Sequence, residues 1–186
     1  MNLTHKGTVK IETERLILRR FNKGDAQEMF DNWASNPKVC EYLMWSPHPD
    51  LSETEKTLDF WVSSYEKPDF YQWAIELKEI GRPIGSIGAV KQKDETKMVH
   101  IGYCIGEKWW NKGYTSEALA ALIKFFFDEV GINRIESRHD SKNPNSGKVM
   151  TKCGLKYEGT MRRSDWNQQG LCDSMWYAIL AEDYFG

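Results

Sequence analysis

Apolar and polar residues alternate along several short stretches of the chain, with a period of two residues. Because successive side chains of a β-strand point to opposite faces, this period predicts strands. The stretches with this pattern are residues 15–20, 71–77, 84–90, 99–105, 134–138, 157–163 and 172–180. The sequence therefore predicts a sheet of about seven strands.

A second pattern, with apolar residues three and four positions apart, predicts amphipathic helices. The first helix covers residues 26–33, and the second begins at Ser52, where Glu55 completes the pattern of a capping box. Between the two, residues 41–49 contain prolines among large apolar side chains, which predicts a packed loop, here called the proline loop. This region is the natural place for walls that recognise a substrate.

Two further helices are predicted in the second half of the chain. The third follows residues 110–115, the stretch WNKGYT that is here called the glycine loop, with Thr115 as predicted N-cap and Gly131 as its end. The fourth begins at Asn143, directly before a proline, and stops before Gly154. The order of these elements predicts an α+β (mixed α/β) fold in which helices cover a largely antiparallel sheet.

Length and charge narrow the class of protein. A chain of 186 residues can bury its own core, and no repeat or linker divides it, so we expect a single domain over residues 1–186. The net charge of -2 and the pI of about 6.1 argue against a nucleic-acid partner. No apolar run approaches the roughly 18 to 20 residues that cross a bilayer, and no secretory signal begins the chain. We therefore expect no membrane partner and a cytoplasmic location.

The cysteine, histidine and aromatic content indicates which ligands the protein could bind. The four cysteines and four histidines are scattered, without the spacing of a zinc site, so we expect no metal. Aromatic residues make up 13% of the chain, which suits either a deep core or a pocket for an organic ligand.

The glycine loop also has the pattern of an anion site. A glycine in a turn before a helix leaves backbone N–H groups without partners at the positive end of the helix dipole. Lys112 either adds charge there or is a solvated loop residue, and Glu117 is interpreted as a helix-terminus residue rather than a catalytic one. Because glycine loops that only reverse the chain are more common, the loop alone leaves its function open.

Three segments, taken together with their spacing, resemble the GNAT acetyltransferases, and most closely their ribosomal-protein N-acetyltransferase (RimJ/RimL) branch. They are WNKGYTSEA from residue 110, NPNS from residue 143 and KCGLKYEG from residue 152. The segment TERLILRRF, followed by Asp25, is similar to the same branch, so the similarity runs from Ile11 to the end. The loop pattern of the family is Q/R-x-x-G-x-G/A. Here Trp110 takes the first position, as is usual in this branch, Gly113 is the central glycine, and Thr115 replaces the final Gly or Ala.

The resemblance implies the GNAT fold and acetyl-CoA as the cofactor. In this fold the mostly antiparallel, twisted sheet is splayed between the fourth and fifth predicted strands, at residues 101–105 and 134–138, and about four helices flank it. The pyrophosphate would lie on the glycine loop and the pantetheine arm in the gap between the strands. The residues implied to bind the cofactor are Tyr103, Cys104, Ile105, Trp110, Asn111, Lys112, Gly113, Tyr114, Thr115, Ser116, Asn143 and Ser146.

The resemblance also implies catalytic candidates. Ser146 would donate a proton or a hydrogen bond to the CoA sulfur, with Tyr157 as the second candidate for this role. Asp165 would be the general base, with Glu158 and Asp173 as alternatives. Ser146 and Asp165 also have purely structural readings, in a first helical turn and in a surface turn.

Two more residues have a double interpretation. His100 either is a structural histidine or points toward the substrate, and Asn143 can cap its helix while holding the cofactor arm. A backbone N–H group near Tyr103 or Cys104 would stabilise the thioester oxygen.

Together these residues predict an acetyl-CoA-dependent N-acetyltransferase in which a primary amine attacks the thioester directly in a ternary complex. A protein N-terminal α-amine, with a pKa near 8, is deprotonated by a weaker base than a lysine, with a pKa near 10. Two alternatives stay open: an enzyme for a small amine of polyamine or aminoglycoside type, which an acidic cleft with Glu41, Asp50 or Glu53 would favour, and a non-catalytic CoA-binding sensor. The sequence also leaves monomer and homodimer open.

Overall fold

The protein forms one eight-stranded sheet in a computed structural model that describes residues 2–186. The strands are β1 (Ile11–Glu12), β2 (Leu16–Arg19), β3 (Gln72–Leu77), β4 (Arg82–Lys93), β5 (Met98–Ile105), β6 (Arg134–Asp140), β7 (Lys156–Asn167) and β8 (Gly170–Leu180). Their order in the sheet is β1-β2-β3-β4-β5-β6-β8-β7. All seven predicted strands are confirmed, and β1 is an addition that is too short to show a period.

Six helices lie against the sheet. They are α1 (Ala26–Met29), α2 (Pro37–Cys40), α3 (Leu51–Ser64), α4 (Tyr114–Phe125), α5 (Pro144–Lys152) and α6 (Ala181–Phe185). π-helical turns extend α1 over Phe30–Ala34 and α4 over Phe126–Val130. The mixed α/β class is confirmed, and the two helices that the periodicity did not predict, α2 and α6, have only four and five residues. Every helix of residues 2–186 is too short or too polar to span a membrane.

The sheet is antiparallel at every junction except that between β5 and β6. These two strands are parallel, and they pair only over Met98–His100 and Arg134–Glu136. Beyond this point they separate, and Ser137 Oγ donates a hydrogen bond to the carbonyl of Ile101 at 2.8 Å. This separation, here called the splay, confirms the predicted gap between the fourth and fifth predicted strands.

Two apolar clusters cover the two faces of the sheet. One lies under α4 and α5 and contains the fully buried Ile101, Phe126 and Met150. The other lies under α1 and α3 and contains the fully buried Trp33 and Leu58. The sheet is therefore held from both sides, and strands near the splay expose alternate residues to the two helical layers.

Two helix starts differ from their predicted positions. The N-cap of α3 is Asp50, whose side chain accepts from the N–H of Glu53, while Ser52 lies inside the helix and donates to Asp50. The N-cap of α4 is Gly113, in the left-handed conformation with φ 81°, so the prediction of Thr115 as the cap was wrong. A left-handed glycine turns the chain into the helix without any side-chain cap.

We predict that Gly85→Ala destabilises the protein by about 2 kcal/mol, because a Cβ at this position overpacks the sheet. An added Cβ would lie 2.4 Å from the carbonyl oxygen of Cys104 and 2.8 Å from Cα of Ile105, both backbone atoms of β5. Urea unfolding measures the loss. Gly102→Ala is the matched control, since its Cβ would meet only the exposed side chain of Val90, which can rotate. Equal losses for the two variants would contradict the prediction.

Candidate functional site

A cavity of about 1320 Å³ opens where β5 and β6 separate. It extends from the glycine loop, past the start of α5, to the proline loop on the other side of the sheet. This volume is ample for a cofactor and part of a second substrate. One continuous space therefore connects the predicted anion site with the predicted substrate walls.

The glycine loop is held in shape by hydrogen bonds to its backbone and to its first side chain. Trp110 Nε1 donates to the carbonyl of Ile105 at 2.8 Å, and Arg15 Nη1 donates to the carbonyl of Lys112 at 3.0 Å. The N–H of Glu117 makes the first bond of the following helix, so the three N–H groups before it have no partner within the helix. These donors lie at the positive end of the α4 dipole.

Two cationic side chains lie beside the glycine of this loop. A Cβ on Gly113 would be 3.4 Å from Arg15 Nη2 and 3.9 Å from Lys152 Nζ. Backbone donors, a helix dipole, two cations and a position without a side chain together fit a pyrophosphate group. Lys112 and Tyr114, both predicted to bind cofactor, are not among the residues that line the cavity within residues 2–186.

Arg15 is held beside the loop by Glu117. One carboxylate oxygen of Glu117 accepts from Thr13 Oγ1 at 2.6 Å and from the N–H of Arg15 at 2.8 Å, and the other accepts from Arg15 Nε at 2.7 Å. Burial acts to raise the pKa of Glu117, but these hydrogen bonds outweigh it and lower the pKa below its ordinary value. The guanidinium also stacks 4.5 Å from the centre of the Tyr114 ring. Glu117 therefore fixes the guanidinium of Arg15 beside the glycine loop in addition to its place at the helix start.

A tyrosine and a serine meet in the middle of the cavity. The hydroxyl of Tyr103 donates to the carbonyl of Ser146 at 3.0 Å and lies 3.0 Å from Ser146 Oγ. Burial raises the pKa of Tyr103, so its proton stays in place at neutral pH. The contact ties β5 to the first turn of α5, where Asn143 also lines the cavity. Asn143 is the N-cap residue of α5, but its side chain makes no capping hydrogen bond.

The cysteines next to this contact are protonated thiols. Cys104 lines the cavity with its Sγ 3.4 Å from Ser86 Oγ, and burial raises the pKa of its thiol. Burial also raises the pKa of Cys153, to about 11. Because the thiolate is the nucleophilic form, neither residue is an activated nucleophile.

On the face toward α1 and α3, charged residues of β6 and β7 surround the splay. Asp165 lines the cavity, but one of its oxygens accepts from Arg138 Nε at 2.6 Å and the other from the N–H of Trp166 at 3.1 Å. His100 also lines the cavity, and its Nδ1 is 3.3 Å from Glu136 Oε1. The hydrogen bond from His100, followed by that from Arg134, outweighs burial and lowers the pKa of Glu136.

Three of the catalytic candidates lie away from the cavity. Tyr157 is 52% exposed on β7, and its hydroxyl bonds to Thr160 Oγ1 at 2.7 Å. Glu158 is ion-paired with Arg134, and Asp173 accepts from the backbone N–H of Arg163. None of the three is among the cavity-lining residues of the described chain. Tyr157 and Glu158 lie on β7, an edge strand whose side chains are mostly exposed, and Asp173 lies near the start of β8.

Near the far end of the cavity, the proline loop contacts the β7–β8 hairpin. Gln168 bonds to Ser46 Oγ and to the carbonyl of Leu43, and Gln169 bonds to Glu41. Aromatic and acidic side chains line this end: Trp45, Phe60, Trp61, Phe70, Trp166, Glu41, Glu53, Asp140 and Asp165. The arrangement suits a ligand that carries a cation and some apolar surface. No group of three or more metal-binding side chains comes together among residues 2–186.

Sequence reasoning did not place Arg15 or Lys152 beside the glycine loop. Arg15 directly precedes β2, and Lys152 lies in the last turn of α5, so neither is near the glycine loop in sequence. The available signal was the pairing of a positive charge in RLILRR with Glu117 in the first turn of the third helix. Only the fold brings these charges together.

Comparison with known proteins finds similarity to acetyltransferases. Residues 15–156 match the family model described as an acetyltransferase (GNAT) domain. The chain is 29% identical to the uncharacterised N-acetyltransferase p20 of Bacillus licheniformis over 94% of this chain and 97% of the relative. It is 26% identical to the [ribosomal protein uS5]-alanine N-acetyltransferase of Escherichia coli (strain K12), over 81% and 80%. A solved structure of RimL, described as a ribosomal L7/L12 alpha-N-protein acetyltransferase in complex with coenzyme A, has a TM-score of 0.83 at 19% identity and covers 92% of this chain and 98% of its own.

We predict that Gly113→Ala weakens coenzyme A binding by about tenfold. Alanine at φ 81° costs about 1 to 2 kcal/mol, and its methyl group intrudes between the two cations. Isothermal titration calorimetry measures the dissociation constant. Gly131→Ala is the matched control, since Gly131 has φ 78° at the other end of the same helical segment and does not line the cavity. If both variants bind coenzyme A equally well, the loop is not the phosphate site.

We predict that Lys152→Gln raises the dissociation constant of coenzyme A by about threefold to tenfold, because an exposed cation-phosphate contact contributes about 1 kcal/mol. The dependence of binding on salt should fall as well, since one charge contact is lost. The measurement is calorimetry at two salt concentrations. Lys156→Gln is the control, because Lys156 is ion-paired with Asp183 outside the cavity. Equal effects of the two substitutions would count against Lys152.

Proposed function

The chain belongs to the GNAT family of acetyl-CoA-dependent N-acetyltransferases, and from this premise we propose that its acceptor is a protein N-terminal α-amine. The supporting observation is the continuous cavity, which joins the anion site at the glycine loop to an aromatic and acidic end beyond the splay. A ternary complex needs such a passage, because the amine must reach the thioester from the side opposite the phosphates. We also propose that residues 1–186 act as one domain.

The glycine loop and the edge of β5 are proposed to bind different parts of acetyl-CoA. We propose that the N–H groups of Asn111 to Ser116, with Arg15 and Lys152, hold the pyrophosphate of acetyl-CoA. The unpaired edge of β5 from Tyr103 to Ile105 offers backbone groups to the pantetheine arm, in the manner of an added strand. Bound acetyl-CoA supplies the acetyl thioester, and the protein supplies its orientation and the movement of protons.

Ser146 is the proposed donor to the departing sulfur. Its hydroxyl lies in the cavity on the first turn of α5, and the Tyr103 hydroxyl lies 3.0 Å from it. Tyr103 thereby orients Ser146 and can return a proton to it. A backbone N–H near Tyr103 or Cys104 is the proposed donor to the thioester oxygen. The exposed Tyr157 has no comparable contact.

Two kinds of acceptor suit the far end of the cavity. An N-terminal α-amine has a lower pKa than lysine, and the E. coli relative named above acts on the alanine of a ribosomal protein. A small amine of polyamine or aminoglycoside type is the second candidate. It is favoured by Glu41 and Glu53, which line this end of the cavity.

A thiol-release assay with acetyl-CoA tests the proposal. The panel contains peptides with a free N-terminus, the same peptides with a blocked N-terminus and an internal lysine, polyamines and aminoglycosides. Turnover with the free N-terminal peptides alone supports the proposal. Turnover with small amines alone assigns the second candidate, and tight coenzyme A binding without any turnover supports the sensor function.

We predict that Ser146→Ala lowers kcat by between about tenfold and a hundredfold while the KM for acetyl-CoA changes little, because a thiolate needs only modest help to leave. Steady-state kinetics with the preferred acceptor measure the effect. Ser63→Ala on the exposed side of α3 is the control. An unchanged kcat for Ser146→Ala would remove Ser146 from the mechanism.

A further inference from the structure

We propose that His100 accepts the proton of the acceptor amine, and that Glu136 is the residue that positions His100 for this task. The inference rests on the proposed acetyl transfer to an amine and names the base that this reaction requires. It replaces Asp165, which the sequence placed in this role.

His100 and Glu136 occupy the vertex of the splay. They face each other in register as the last pair of the parallel ladder, directly before β5 and β6 separate. The neighbours of His100 on β5, Val99 and Ile101, are fully buried in the cluster under α4 and α5. Since strand residues alternate between faces, His100 points toward the layer of α1 and α3, the side that holds the acceptor end of the cavity.

The contacts of His100 fix which nitrogen is free. Glu136 Oε1 is 3.3 Å from Nδ1, and a carboxylate only accepts, so Nδ1 carries the proton and donates. Glu136 is itself held by Arg134 Nε, which donates to Oε2 at 3.0 Å. The ring of Trp176 packs edge to face against the imidazole, with centroids 5.4 Å apart. Nε2 is left with an unshared electron pair and makes no hydrogen bond to residues 2–186, while His100 lines the cavity.

Charged groups of both signs lie near His100 on this face of the sheet. Two guanidinium groups, those of Arg134 and Arg138, lie among three carboxylates, those of Glu136, Glu158 and Asp165. Lys91, opposite His100 on β4, is exposed to solvent, and Trp176 on β8 carries no charge. Arg134 is shared between Glu136 and Glu158, which holds the Glu136 carboxylate in place behind the imidazole.

Asp165 is less suited to the same task. Both of its oxygens already accept hydrogen bonds, one of them from the guanidinium of Arg138. An amine proton would have to displace a charge-assisted bond of 2.6 Å to reach it. Nε2 of His100 needs no such exchange, because its electron pair is unoccupied.

The proposed step balances in protons and electrons. His100 Nε2 takes one proton from the ammonium form of the acceptor. The freed electron pair of the nitrogen forms the C–N bond at the thioester carbonyl carbon, and the C–S bond breaks with its electron pair on sulfur. Sulfur receives the second amine proton through the hydroxyl of Ser146, and His100 returns its proton to water.

The kinetic test compares His100→Gln, His100→Asn, Glu136→Gln, Glu136→Asp and Asp165→Asn. We expect both His100 variants to lose about a hundredfold or more in kcat/KM at pH 7, and the acid limb of the wild-type pH profile to disappear with them. Glu136→Gln should lose about tenfold, and Glu136→Asp should recover most of it. His5→Gln is the control, since His5 also pairs with a carboxylate, Asp94 at 3.2 Å, outside the cavity.

Coenzyme A binding separates loss of the base from loss of the fold. Each variant is titrated by calorimetry, and an unchanged dissociation constant shows that the donor site is intact. If His100→Gln binds coenzyme A and retains both wild-type turnover and the acid limb, His100 is not the base. If Asp165→Asn instead removes the acid limb, the role belongs to Asp165.

A spectroscopic measurement tests the pair without any turnover. Nitrogen-15 NMR of histidine-labelled protein should show His100 at high pH with its proton on Nδ1, and Glu136→Gln should convert it to a mixture of tautomers. A wild-type ring protonated on Nε2 would overturn the proposal. If wild-type protein releases no thiol with any amine of the panel, the proposed function fails, whereas the tautomer result still reports on the pairing of His100 with Glu136.

Discussion

The rest of the site depends on the early end of one parallel strand pairing. β5 and β6 share only three residues on each strand, because β6 pairs with β8 along its whole length and follows that strand rather than β5. Backbone groups left without a partner in a protein interior are costly, so something must satisfy them. The hydroxyl of Ser137 donates a hydrogen bond to one of these groups, the carbonyl of Ile101. The remaining edge of β5 faces the cavity, and in the proposed function an extended ligand arm takes the place of a neighbouring strand.

The splay also brings side chains from both faces of the sheet to one cavity. Side chains on β5 alternate, so Tyr103 lies against α5 and Ser146, while His100 and Cys104 lie toward α1 and α3. Hydroxyl groups that suit a departing sulfur are thus on one face of the sheet. The imidazole, with its carboxylate partner behind it, is on the other. The thioester would cross the sheet between them, where the gap between the strands allows both faces to reach the same carbon.

Local sequence patterns predicted the strands and the long helices. They did not predict where helices begin, or which charged residues from distant parts of the chain come together. The two-residue period identified every long strand, and the helix predicted behind the glycine loop is present as α4. The cap of α4 was missed because Gly113 turns the chain by its φ angle alone, which leaves no side-chain signature. Arg15 was missed because its position depends on Glu117, a partner from a distant element. Tyr157 was misplaced because an edge strand repeats the period of an inner strand without its burial.

The proline loop and the proposed base are linked through two shared side chains, those of Arg138 and Trp176. Arg138 bonds to Asp165 on β7, contacts Met44 of the proline loop at 3.5 Å, and stacks 5.1 Å from the centre of the Trp176 ring. The same indole packs against the imidazole of His100. A substitution in the proline loop that moves Arg138 therefore alters both the acceptor wall and the packing of the proposed base. Under the proposed function, substitutions in the proline loop and at His100 should therefore be non-additive, because one guanidinium and one indole link the two places.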